Sequence, residues 1–121
     1  MSSIPKHIWK KIAESITEIN FSENGLAELE VSGKKLCVGL YKNEVFACAQ
    51  KCPHAGGILS DGYLDTIGNI VCPFHRYKFN PKTGRNVSGE GYFLKTFPIK
   101  ITDSGVFIKV DDPGLFAKKA P

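Results

Sequence analysis

The sequence predicts a single all-β domain. Three observations carry that expectation. Apolar residues fall in short alternating runs, turn residues break the runs, and the aromatic content leans on 8 Phe and 4 Tyr, which suit a compact β domain better than a helical bundle. At 121 residues the chain is long enough for one hydrophobic core and too short for two domains of ordinary size. Its 42% hydrophobic content is that of a globular protein and excludes general disorder.

Taken in order, Ile8–Ile12 and Ser15–Phe21 read as opening strands around a turn. A competing helix over Trp9–Ile19 rests on the spacing of Ile8, Ile12, Ile16 and Ile19. Glu28–Val31 and Lys35–Leu40 form a hairpin over Ser32-Gly33-Lys34, with Leu36, Val38 and Leu40 on one face and Cys37 on the other. Lys42-Asn43-Glu44 turns the chain into Val45–Ala49. Gly62–Leu64, Asn69–Cys72 and Tyr77–Asn80 read as three short strands, followed by a Pro81-Lys82-Thr83-Gly84 turn. Phe97–Thr102 and Val106–Val110 close the domain as a hairpin over Asp103-Ser104-Gly105. Residues from about 112 to 121 read as a loose polar tail.

Net charge is +4, from 16 basic and 12 acidic residues, which fits an acidic protein partner and gives little support for nucleic acid. No apolar run approaches the roughly 20 residues that a helix needs to cross a bilayer. The start of the chain has no apolar segment of the secretory type, so a cytoplasmic location is the default expectation. The four cysteines are then read as thiols or ligands rather than disulfides. Cys37 and Cys48 sit in expected strands and read as buried, inert thiols.

Two segments concentrate metal-ligand chemistry. Cys52-Pro53-His54 has the form C-x-H, and Cys72-Pro73-Phe74-His75 has the form C-x2-H. Each pairs one thiolate with one imidazole and is set in turn residues, with Ala55-Gly56-Gly57 after the first. A [2Fe–2S] cluster ligated by two Cys on one iron and two His on the other takes this donor set. Backbone N–H groups near Gly56 and Gly57 are placed to serve anionic sulfides. A single tetrahedral Zn²⁺ is the alternative reading of the same four side chains, although zinc sites more often pair like with like.

On this double motif the chain resembles the Rieske-type ferredoxins, from about Ile8 to Val110. The resemblance implies a Rieske fold, an antiparallel sandwich-like base with a small cluster-binding subdomain inserted over about residues 51–80. It implies one [2Fe–2S] cluster ligated by Cys52, His54, Cys72 and His75. The function implied is soluble one-electron carriage from a flavin-dependent reductase to a terminal oxygenase or similar acceptor, by a monomer that is not itself an enzyme. His7 is the one histidine left over, so a mononuclear iron site of the oxygenase type is not expected. A small electron-entry subunit of a nitrite reductase-like complex is a second reading, and a zinc-stabilised binding module a third.

Relatives in respiratory complexes carry an extra Cys in each cluster loop. The corresponding positions here are Gly57 and Phe74. Those relatives also have a Ser and a Tyr after the second His ligand, where this chain has Tyr77 and Phe79. The differences favour the soluble, oxygenase-associated branch. The segment expected to cover the cluster, Val87–Phe93, lacks the prolines common in the family, leaving Tyr92 or Phe93 as the covering residue. Lys51 and Arg76 adjoin the ligand loops and are candidates for guiding an acidic redox partner, within a docking ring of Pro53, Ala55, Phe74 and Arg76.

Overall fold

The structure, a computed structural model, describes residues 7–53, 56–74, 76–89 and 91–111. Among the described residues, ten strands form three antiparallel sheets. The first has the order β1 (His7–Ala13), β10 (Gly105–Asp111), β9 (Ile99–Thr102). The second has the order β2 (Leu26–Val31), β3 (Lys34–Tyr41), β4 (Glu44–Ala49), β8 (Thr96–Phe97). The third is small and consists of β5 (Tyr63–Leu64), β6 (Ile70–Val71) and β7 (Lys78–Phe79). The small sheet lies in sequence between β4 and β8, which themselves pair through Ala47–Phe97 and Cys48–Thr96.

Local chemistry fixes the tight turns. Val31 faces Lys34 and Tyr41 faces Glu44, so both central hairpins turn over two residues. Ser32, Gly33, Lys42 and Asn43 all take positive φ, as a turn that matches the strand twist requires. The expected three-residue loop therefore contracts by one residue, and Lys34 joins β3.

Three expectations are corrected. Ser15–Phe21 is not a strand: Ile16–Glu18 forms a 3-10 turn, because Glu18 Oε1 accepts from Glu14 N at 2.7 Å and Ile16 O accepts from Ile19 N at 3.1 Å. Trp9–Ile19 is not a helix, since Trp9–Ala13 lies within β1 and spends its backbone groups on the ladder with β10. Phe97–Thr102 is broken at Pro98, which has no N–H to give a ladder. Phe97 consequently pairs with β4, whereas Ile99 onward pairs with β10. The expected polar tail lies outside the described residues.

The centre of the four-stranded sheet, in β3 and β4, is buried on both faces. Leu36, Val38 and Ala47 face one core with Ala27, Val31, Val106, Ile108 and Val110. Cys37, Phe46 and Cys48 face a second core with Cys52, Leu59, Ile70, Cys72, Phe79 and Leu94. The period of two sends alternate residues of β3 and β4 to opposite cores. The second core ties the small sheet to the base. Phe79 is fully buried in it, and truncation to Ala would cost about 3–5 kcal/mol. Gly39 lies under the Phe46 ring, where a β-carbon would meet a ring atom at 2.1 Å, so only glycine lets the two strands pack there.

Candidate metal centre

The first loop leaves β4 and closes on itself. Lys51 bridges Ile58, Cys52 N donates to Gly57 O at 2.8 Å, and Gly56 N donates to Cys52 O at 2.9 Å. Gly56 takes φ +72°, a conformation that glycine adopts without strain. Gln50 anchors the exit of the loop from within the protein: its Nε2 donates to Ser60 Oγ at 2.9 Å, and its Oε1 accepts from Ser60 N at 3.0 Å. The second loop joins β6 to β7. Cys72 N donates to Tyr77 O at 2.8 Å, and Phe74 N points at Cys72 Sγ from 3.4 Å. Arg76 takes φ +58°, unusual for a residue with a side chain, and reverses the chain toward β7.

The two loops bring Cys52 and Cys72 together. Both are buried, at 3% and 0% exposure, in the same core, and each thiol bears on the ionisation of the other. Gly57 lies directly against this pair, where a β-carbon would meet Cys72 Sγ at 3.0 Å and the Phe74 ring at 3.3 Å. Burial pushes the Cys72 thiol up to about 11; the Phe74 N–H pulls it down, and the neighbouring Cys52 adds to the rise. A metal taking Cys72 as thiolate must therefore displace its proton. His54 and His75, expected as the remaining ligands, lie outside the described residues, as does Ala55. Among the described residues no third His, Cys, Asp or Glu joins the two cysteines.

These residues fit an iron–sulfur group. Two converging sulfurs in an apolar shell, an N–H aimed at one of them and a side-chain-free position beside it match what a thiolate-bound cluster requires. The Rieske [2Fe-2S] domain family model matches residues 9–98. The chain belongs to the Rieske [2Fe-2S] domain family. The cofactor of that family is an iron–sulfur cluster.

The Rieske chain is 30% identical over 99 residues to the ferredoxin component of the naphthalene 1,2-dioxygenase system of Pseudomonas putida, covering 81% of this chain and 94% of the relative. It is 32% identical over 73 residues to the 3-phenylpropionate/cinnamic acid dioxygenase ferredoxin subunit of Photorhabdus laumondii, covering 60% and 70%. Among solved structures, a chain in the complex of reduced oxygenase and oxidised ferredoxin of carbazole 1,9a-dioxygenase superposes with a TM-score of 0.69 at 27% identity, covering 84% of this chain and 92% of that one.

The other two cysteines of the Rieske chain lie in the β3–β4 ladder. Cys37 and Cys48 are directly opposed in the β3–β4 ladder, fully buried, and free thiols. A hydrogen bond to Cys37, together with burial, holds the Cys48 thiol well above the usual range. Of the expected docking ring, Pro53, Phe74 and Arg76 are exposed, Phe74 at 55%. Tyr92 and Phe93 are exposed as well. Sequence reasoning missed Gln50, whose only signal was a polar residue at the end of a buried strand.

Proposed function

We propose that the chain carries single electrons on a [2Fe–2S] cluster held by Cys52 and Cys72 at one iron and by His54 and His75 at the other. When bound, the cluster supplies reversible one-electron chemistry. The observation that carries the reading is the meeting of two buried thiols from two separate loops, with Phe74 N–H and Gly57 against Cys72. The apolar second core excludes water from these sulfurs, and the segment of about 51–80 serves as the cluster-binding subdomain of a single domain.

The electron donor in this proposal is a flavin-dependent reductase and the acceptor a terminal oxygenase. Support comes from relatives named as ferredoxin components of dioxygenase systems and from the likeness to a ferredoxin solved with its oxygenase. Pro53, Phe74 and Arg76 form the described part of the docking surface. The chain acts as a cytoplasmic monomer, and catalysis belongs to its partner.

Analysis of the purified protein tests the reading. About two irons and two acid-labile sulfides per chain are expected, and Cys72→Ser should abolish both. One zinc and no colour would overturn the proposal, as would a Cys72→Ser variant with native iron, sulfide and visible spectrum.

A further inference from the structure

The sheet β1–β10–β9 has a face that neither core uses. Alternation sends Ile8, Ile12, Val106, Ile108, Val110 and Ile99 to the first core. Alternation turns Trp9, Lys11, Phe107, Lys109 and Lys100 the other way. Trp9 pairs with Lys109, Lys11 with Phe107, and Phe107 with Lys100. Lysines and aromatic rings therefore alternate across three strands. Trp9 is 39% exposed, and Lys100 Nζ stands 4.4 Å from the centre of its ring. Lys11 is paired with Glu14 at 2.8 Å. Neither Lys100 nor Lys109 has a carboxylate partner among the described residues. Among the described residues the acidic positions of this sheet stand at its ends: Asp111 ends β10 opposite His7, Glu14 follows β1, and Asp103 lies in the β9–β10 turn.

The face also lies away from the metal centre. The first core and the four-stranded sheet stand between it and Cys52 and Cys72, which belong to the second core. A partner bound here leaves the cysteine loops open.

We propose that this face is an assembly contact for an acidic protein surface. Lysines attract carboxylates, and a half-exposed Trp is an effective anchor when an interface covers it. A second copy of the chain would bring the same lysines against each other, so the charge argues for a different, acidic partner. Such a contact sets proximity rather than carrying electrons: by holding a partner nearby it raises the effective concentration at the cysteine loops. The inference rests on the sheet and not on the cluster assignment.

Trp9 is the only tryptophan, so its emission reports on this face alone. The purified full-length protein is titrated with a short synthetic peptide alternating Glu and Leu. A saturable change in Trp9 emission is expected. Lys100→Glu combined with Lys109→Glu should weaken it at least about tenfold, and the milder Lys100→Gln with Lys109→Gln should weaken it severalfold. Lys34→Glu with Lys42→Glu, at the start of β3 and in the β3–β4 turn, should leave it unchanged. High salt should suppress the wild-type response. Four outcomes would overturn the proposal: no saturable response, equal weakening by the control pair, a response to phosphatidylserine vesicles but not to the peptide, and concentration-dependent dimerisation lost in the Lys100/Lys109 variants.

Discussion

A β-carbon on Gly57 would stand 3.0 Å from Cys72 Sγ, although the two residues come from different loops. The contact couples the loops sterically. Gly57→Ala is expected to push Cys72 and the Phe74 ring outward and to lower cluster occupancy, with the protein still folded. Iron and sulfide per chain, together with circular dichroism, check this. Full occupancy in Gly57→Ala would show that the close approach has no role in the site.

The two cysteine pairs should separate by substitution. Cys48→Ser places a hydroxyl in a fully buried ladder position beside Cys37, and is expected to cost about 1–3 kcal/mol while leaving iron and sulfide unchanged. Cys52→Ser should instead remove the cluster, because a hydroxyl is a poor substitute for a thiolate. Thermal melts alongside metal analysis distinguish the two effects.

Asp65 gives an acid-range prediction. Desolvation raises its carboxyl pKa, but hydrogen bonds from Asn69 N, Ile67 N and the Asn69 side chain outweigh that and hold it below the usual value, helped by Lys78. A lowered folded pKa adds stability that is complete above the unfolded value of about 4 and is lost as pH falls through the folded value. Asp65→Asn keeps an acceptor oxygen and removes the charge. It is expected to lose at most about 1 kcal/mol at neutral pH, since the pair with Lys78 is partly exposed. Urea melts across the acid range should show that gap closing below about pH 4. A gap of constant size would remove the charge from the account.

Arg76 is exposed at the reversal of the second loop. Arg76→Glu should slow electron delivery to an acidic partner at low salt, and the deficit should shrink as salt rises. Stopped-flow rates at several ionic strengths check this; equal rates throughout would take Arg76 off the docking surface.

The reduction potential should lie at the low end of the Rieske range, about −150 mV. Phe79 is fully buried in the core that holds Cys52 and Cys72 and has no hydroxyl to give a sulfur. Hydrogen bonds to sulfur stabilise the more negative reduced state, so a phenyl ring at a position that could carry a hydroxyl donor lowers the potential. Voltammetry decides this, and a midpoint above about +100 mV would place the chain with the respiratory relatives.

Much of the candidate site was legible because its signals are local. Cys52 and Cys72 each sit in a short run whose prolines and glycines announce a loop, and β3 shows its two faces in Leu36, Cys37 and Val38. The opening segment was legible in part: Ile8–Ile12 reads as a strand and is one, whereas Ser15–Phe21, read as the next strand, is not. Ile8, Ile12, Ile16 and Ile19 satisfy a helical period, yet β1 forms because β10 arrives from the far end of the chain to satisfy its backbone groups. By itself the sequence determined the strand periods, the turns and the pairing of Cys52 and Cys72 each with a nearby histidine, all set by neighbouring residues. Tertiary structure decided that β1 joins β10, that the β3–β4 sheet is buried on both faces, and that Gly57 abuts Cys72. Those outcomes depend on hydrogen-bond ladders and packing between residues distant in the chain, whose free energy exists only once the strands have met.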